Sequence, residues 1–440
     1  MAQLRVAFLV YRGNPHCGGQ GVYTRHLTRE LVALGHRVTV FSGQPYPELV
    51  DGVDLVKVPS LDLYREPKPF RLPRGREVES VTDLLEIATM CTGGFPEPRT
   101  FSLRARQLLR SRLGQYDVVH DDQSLGTGLV QMLGDGWAVT SSIHHPVTVD
   151  RALDLEHATS RRRQLQLRRW YGFTAMQARV ARRLPRLLTV SESSRRDIVE
   201  HLGVDPGRVA VVPIGVDPVL HRPRPGIARV AGRVMTTASA DVPMKGLTHL
   251  LAALAKVRTD HPDAHLVVVG RLRANSPVAP VLDSLGLRGA VRFVSGESDE
   301  RIVELYAEAS VAVVPSLYEG FSLPAVEAMA CGVPLVATTG GALPEVTGKD
   351  GETVLAVAPG DEDALAAALC RLLDDEELGR RIAADGRRRV LERFTWAVAA
   401  SGTASLYGEL VGQQRAARQR SAQPVGRVAA SGPGVDPARC

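Results

Sequence analysis

Short apolar, β-branched runs alternate along this chain with longer segments of helical period, the pattern of a doubly wound parallel sheet, and the alternation happens twice. In the first half, Leu4–Val10, Arg37–Phe41, Val53–Val58, Asp117–His120, Ala138–His144 and Leu187–Val190 read as strands. The clearest helix between them is Gly21–Leu34, closed by Gly35 where a helix C-terminus favours a left-handed residue. Proline and glycine recur between 60 and 100, so an irregular excursion around a helix near 78–90 is expected there.

The pattern restarts after Pro213, Pro218, Pro223 and Pro225, a stretch that reads as an inter-domain linker. Val234–Ala238, His265–Val269, Val291–Val294, Val311–Val314 and Val333–Ala337 are the second set of strands, with Gly246–Val257, Asp299–Ala309 and Leu323–Ala330 as helices. The sequence thus predicts an N-terminal Rossmann-like domain over 1–215, a second over 216–395, a helix over 396–411 and a tail over 412–440. The tail lacks periodicity and apolar side chains and is expected to be disordered. Two such sheets in tandem bind ligands at the carboxyl ends of their strands, in the cleft between them.

At 440 residues with 44% apolar and 23% charged side chains, the chain is long enough for two or three folded domains. No run approaches the roughly 18 apolar residues of a membrane span, and Leu4–Val10 is too short for a signal peptide, so the expected location is cytoplasmic. Cys17, Cys91, Cys331, Cys370 and Cys440 are too dispersed for a disulfide framework or a zinc site. Charge is uneven: residues 1–225 carry 31 basic and 23 acidic side chains, 226–410 carry 18 and 24, and 411–440 carry 5 and 1. Most of the first half's excess lies in 151–225, which suits an anionic partner.

Gly18, Gly19 and Gly21 follow the first strand and open the first helix, either as a tight turn or as a close backbone approach to a phosphate or sugar. Their spacing is not the dinucleotide fingerprint. In Glu319-Gly-Phe-Ser-Leu-Pro-Ala-Val-Glu327, two carboxylates flank the start of a helix. Ser322 and Leu323 there present backbone N–H groups at the positive end of the helix dipole, a pyrophosphate site. Glu327, one turn further in, suits ribose hydroxyls, and Glu319 a group hanging off the phosphate.

This segment resembles the signature of the retaining glycosyltransferases of family 4, which have the GT-B fold of two Rossmann-like domains facing each other across a cleft. The likeness covers most of residues 1–410. It includes the glycine loop, Ser191 in Thr-Val-Ser-Glu, Pro213-Ile-Gly-Val-Asp217, Lys245-Gly246, and Glu319 through Gly341. The family implies sugar transfer from a nucleotide diphosphate sugar, UDP- or GDP-linked, to an acceptor, with retention of anomeric configuration and neither cofactor nor metal.

By the resemblance, Glu319 faces hydroxyls of the donor sugar, Glu327 holds the ribose, and Gly320, Phe321, Ser322 and Leu323 line the donor. Lys245 neutralises a diphosphate oxygen, and His144 touches the donor sugar, with His145 outward. Asp121 and Asp122 are acceptor-side residues or a helix N-cap. Two departures stand out. Ser239 occupies the place where the family often has an Arg, leaving Arg271 as a substitute, and Ile214 stands where Asn is common.

Residues 161–183 interleave eight arginines with Leu165, Leu167, Trp170, Tyr171, Phe173 and Met176. This is either a helix held at the anionic inner membrane surface or an ordinary amphipathic helix with a solvated basic face. No nucleic-acid-binding module accompanies the charge. The acceptor is a small molecule or a lipid that the sequence does not name. The rival readings are a nucleotide-sugar epimerase of the same fold and a catalytically silent nucleotide-sugar-binding protein, towards which Ser239 leans.

Overall fold

The computed structural model describes residues 2–14, 19–65, 69–156, 158, 160–238, 240, 242–273 and 276–422. The first domain runs β1 (Arg5–Val10), α1 (Gln20–Ala33), β2 (Arg37–Ser42), β3 (Val53–Lys57), α2 (Val81–Cys91), α3 (Glu97–Arg110), β4 (Val118–Asp122), α4 (Thr127–Gly134) and β5 (Val139–Ser142). It continues with α5 (Val147–Glu156), α6 (Arg161–Trp170), α7 (Thr174–Ala181), β6 (Arg186–Thr189), α8 (Glu192–Leu202) and β7 (Val209–Val211). The second domain begins with β8 (Arg233–Thr237), α9 (Leu247–Asp260), β9 (His265–Val269), α10 (Val278–Ser284), β10 (Val291–Val294), α11 (Asp299–Glu308) and β11 (Val311–Val314). It ends with α12 (Leu323–Ala330), β12 (Leu335–Thr338), α13 (Leu343–Thr347), β13 (Leu355–Val357), α14 (Glu362–Asp374) and α15 (Glu376–Arg393). A last helix, α16 (Trp396–Ala422), returns to the first domain.

Both sheets are parallel, in the orders β3-β2-β1-β4-β5-β6-β7 and β10-β9-β8-β11-β12-β13. Each reverses direction beside its first strand, so each has a switch point, at β1/β4 and at β8/β11. From Val6 to Val10, β1 is apolar because both its faces are covered. Val6, Phe8 and Val10 pack with α1 and α16, while Ala7 and Leu9 pack with Leu109, Leu129 and Met132.

The chain crosses between the domains twice, side by side. Val216 donates to the carbonyl of Phe394 at 2.9 Å and accepts from Trp396 N–H at 3.3 Å. Arg29 on α1 binds Asp217 at 2.9 Å and ties this crossing to the first domain. The helix expected near 78–90 is α2, which Ser80 caps by accepting from Asp83 N–H. The tail expectation is corrected at its start. Residues 412–422 extend α16, where Gln414 and Arg418 donate to the carbonyl of Gly136, and 423–440 lie outside the described residues.

A buried polar chain joins α16 to the switch point of the first sheet. The Tyr407 hydroxyl meets His120 Nδ1 at 2.5 Å, His120 Nε2 meets Ser142 Oγ at 2.7 Å, and Tyr23 Oη meets Ser142 Oγ at 3.0 Å. Burial lowers the His120 pKa from its ordinary 6.5 to about 3. The unfolded chain therefore takes up a proton near pH 6.5 that the folded chain refuses until about pH 3. This contribution to stability is full above pH 6.5 and is lost as the pH falls below it. Between pH 7 and pH 5 the wild-type protein should lose about 2 kcal/mol more stability than His120→Gln. Equal losses in chemical unfolding at the two pH values would contradict this.

Candidate active site

At the carboxyl edge of the second sheet, Gly246 caps the start of α9 with φ 65°. A Cβ there would lie 1.9 Å from the carbonyl oxygen of Pro315, so only glycine lets the Lys245 turn close onto the segment after β11. Leu317 N–H completes this junction by donating to Met244 O at 2.8 Å. Glu319 is then held from three directions. Lys245 Nζ lies 2.8 Å from its Oε1, Ser316 Oγ donates to the same atom at 2.7 Å, and its carbonyl accepts from Ala342 N–H at 2.8 Å. Gly341, at φ 62°, presses on that carbonyl, where a Cβ would fall at 2.3 Å. The result is a nearly buried carboxylate beside a lysine that is one-third exposed.

α12 starts directly after this turn. Its N-cap, Ser322, has φ 89° and no side-chain capping bond, and its hydroxyl is buried without a hydrogen-bond partner among the described residues. A polar group left unpaired beside a helix N-terminus suits an anion that brings acceptor oxygens. Glu327 lies deeper, 3.3 Å from the hydroxyl of buried Tyr306, which in turn meets Thr237 Oγ1 at 3.1 Å near the end of β8. Burial raises the pKa values of both Glu327 and Tyr306.

The opposing wall comes from the first domain. Asp122 ends β4 fully buried, and its Oδ1 meets His144 Nε2 at 2.8 Å. Gln123 Oε1 accepts from His144 N–H at 2.8 Å, and the Tyr23 ring meets the imidazole edge-on at 4.5 Å. Burial pushes the Asp122 pKa up, and the neighbouring His144 opposes that rise.

The two walls touch. Ser191 Oγ donates to the carbonyl of Gly320 at 2.6 Å, and Ser194 Oγ lies 3.1 Å from the same oxygen. The Glu345 carboxylate accepts from the N–H groups of Glu192 and Ser193, both at 2.7 Å, at the positive end of α8. Tyr318 hydrogen-bonds Asp197 across the same seam. Between the walls lies a cavity of about 550 Å³, lined in part by Gly19, His144, Gly320, Phe321 and Leu323.

The model of Glycosyltransferase Family 4 matches residues 17–220, and that of Glycosyl transferases group 1 matches 229–389. The chain belongs to this glycosyltransferase family. It is 53% identical over 409 residues, 93% of this chain and 98% of the relative, to the MMP alpha-(1->4)-mannosyltransferase of Mycolicibacterium hassiacum. A glycogen synthase of Mycobacterium tuberculosis is 29% identical over 89% of this chain and 91% of its own. Among solved structures, sucrose-phosphate synthase from Thermosynechococcus elongatus superposes with a TM-score of 0.71 at 22% identity, covering 93% of this chain and all of that one. HepE of Anabaena in complex with UDP-glucose gives 0.67 at 18%, covering 92% of this chain and all of its own. These superpositions establish the GT-B architecture.

Of the residues singled out in the sequence, the glycosyltransferase fold joins Lys245 to Glu319 and gathers Gly19, His144, Gly320, Phe321 and Leu323 around one cavity. Gly18 and Ser239 lie outside the described residues. Arg271 is exposed after β9, and among the described residues no bond joins it to Lys245 or Glu319. Asp121 does not cap α4, whose N-cap is Gly126. β4 runs on through Asp122, and Asp121 is buried, accepting from Ser124 Oγ, from Leu125 N–H at 3.0 Å and from Ser141 Oγ at 2.7 Å. Burial pushes its pKa up to about 6, and its bonds to Ser124 and Leu125 hold the β4–α4 turn.

His145 is also corrected. β5 stops at Ser142, so strand alternation does not turn His145 outward; it lines the cavity and binds Asp150 at 3.2 Å. Arg12, Tyr23, Gln123 and Trp396 line the cavity without having been singled out. Tyr23 was the findable one, because it lies on the first turn of α1 directly after the glycine loop. In 161–183, Leu167 and Met176 are buried and Leu165 is exposed, so the helix presents charge without a continuous apolar face. Among the described residues no helix is long and apolar enough to cross a membrane.

Replacing Glu345 by Ala removes the carboxylate from the start of α8 and should cost about 1 kcal/mol. Amide hydrogen exchange at Glu192 and Ser193 should accelerate relative to the rest of α8. Wild-type exchange at both positions would show that Glu345 does not hold the domains together.

Proposed function

We propose that this glycosyltransferase moves a mannosyl group from a nucleotide diphosphate mannose, with uracil or guanine as base, to a 4-hydroxyl of a sugar acceptor. The product is an α-(1→4) linkage, formed with retention and without a bound metal. The linkage rests on the mannosyltransferase relative, which is more than half identical over nearly the whole of both chains. The chemistry rests on one observation, the Lys245–Glu319 pair fixed beside the α12 N-terminus.

In this reading the donor diphosphate lies against Lys245, the Ser322 hydroxyl and the first N–H groups of α12, with Arg271 as the second cation. Glu319 accepts hydrogen bonds from the donor sugar, Gly19 and Phe321 bound it, and Glu327 serves the ribose. His144, oriented by Asp122, faces the sugar from the first domain. The bond from the anomeric carbon to the phosphate oxygen breaks as the acceptor oxygen bonds to the same face. The acceptor's proton passes to the departing phosphate, so no protein nucleophile is consumed. Catalysis is positioning and charge stabilisation, with Lys245 stabilising the negative charge that leaves. No structural observation favours the epimerase or the silent binder, since Ser239 lies outside the described residues, and a membrane role for 161–183 draws no support from the packing of α6 and α7.

Lys245→Ala and Glu319→Ala should each lower kcat by at least about 100-fold while far-UV dichroism and thermal unfolding stay near wild type. A saturating nucleotide diphosphate should raise the wild-type unfolding temperature, and Lys245→Ala should reduce that rise. Wild-type turnover in either variant would overturn the assignment.

A further inference from the structure

Beside the cleft, the first domain gathers aromatic rings from three separate segments: Tyr64 and Phe70 after β3, Phe95 between α2 and α3, and Trp170 at the end of α6. Aromatic residues make up 5% of the chain, so this is a concentrated use of them. Ring centroids lie 5.3 Å apart for Tyr64–Phe70 and Tyr64–Phe95, 5.1 Å for Phe95–Trp170 and 6.2 Å for Phe70–Trp170. The rings meet tilted or edge-on, and Phe70 is the largely exposed member of the group.

Core packing does not account for this group. Phe70 is 59% exposed and holds φ 64°, a left-handed backbone that a bulky residue adopts only at a cost. Tyr64, Phe95 and Trp170 are half-buried, and the shelf is braced from below. Tyr64 packs on Leu61, Leu63 and Met90 and donates its hydroxyl hydrogen to Gly94 O at 3.2 Å.

Arg12 connects the shelf to the cleft. It follows β1, lines the cavity, and stands over the rings of Tyr64 at 5.9 Å and Phe95 at 5.8 Å. Buried Glu97 grips its guanidinium at 2.5 and 2.8 Å. An exposed Phe70 ring beside the half-buried rings of Tyr64, Phe95 and Trp170 and a neutralised ion pair is what a pyranose chain needs: apolar surface for its C–H faces and polar atoms for its hydroxyls.

We infer that this shelf is an acceptor subsite. It binds the sugar units behind the one whose hydroxyl is glycosylated, and it makes the enzyme selective for an oligosaccharide over a single sugar. The inference rests on the transferase reading and adds to it a chain-length preference with named residues. Binding energy gained on the shelf, away from the reacting atoms, holds the terminal unit in the cleft.

The test measures kcat/KM for α-(1→4)-linked mannose acceptors of one to five units in wild type, Phe70→Ala, Trp170→Ala and Leu113→Ala. Leu113 is 58% exposed and is neither a cavity residue nor a shelf residue. Wild type and Leu113→Ala should gain about tenfold from one unit to four, through KM, and Phe70→Ala and Trp170→Ala should lose most of that gain. The inference is overturned if both shelf variants keep the wild-type gain, or if wild type gains nothing with length. It is also overturned if Phe70→Ala merely turns a dimer into a monomer on sedimentation while the gain persists, because the shelf then meets a second copy of the chain. Wild type that glycosylates no acceptor of any length would instead bring down the transferase reading and this inference with it, a result distinct from the others.

Discussion

Two serine hydroxyls of the first domain, Ser191 and Ser194, reach the carbonyl oxygen of Gly320 in the second, and the active cleft depends on that contact. Gly320 sits between Glu319 and Phe321, so fixing its carbonyl fixes the turn before α12 against the His144 loop, whose own carbonyl lies 3.3 Å from Ser194 Oγ. Glu345 strengthens the junction by placing a carboxylate at the positive end of α8. Hydrogen bonds of this kind are modest and exchangeable with water. A cleft closed by them can open without disturbing either sheet.

The two walls are built by different physics. In the second domain close backbone contact does the positioning: Gly246 lets Lys245 fold down onto Pro315, and Gly341 folds back onto Glu319. In the first domain a buried polar chain does it, from Tyr407 on α16 through His120 and Ser142 to Tyr23, whose ring meets His144. A helix that starts beyond the second domain thus helps to orient a residue of the first, and this coupling explains why the chain crosses back at Thr395.

Much of the architecture was legible because parallel strands buried on both faces leave continuous apolar runs, as in β1, β9 and β11. β7 and β13 went unseen because three-residue strands leave almost no period to read. The end of α16 was read as disorder because its exposed turns are polar; contacts to Gly136 on the first domain hold it. The Glu319–Gly341 string is legible as one wall of the cleft, since its glycines and carboxylates are local in sequence. Arg12, Gln123 and Trp396 stay hidden because they come from three segments far apart in sequence that only the folded first domain and α16 bring together. The bonds of Asp121 are not legible in the sequence either, because its partner Ser141 lies on the next strand of the sheet.

The central claim is retaining transfer of a mannosyl group at this cleft. The most direct measurement is the anomeric configuration of the new linkage, read by NMR from a reaction of nucleotide diphosphate α-mannose with a mannose oligosaccharide in the presence of a chelator. Retaining, metal-independent transfer gives an α-(1→4) linkage at an undiminished rate. A β linkage, or a reaction that stops when metal is removed, would contradict it.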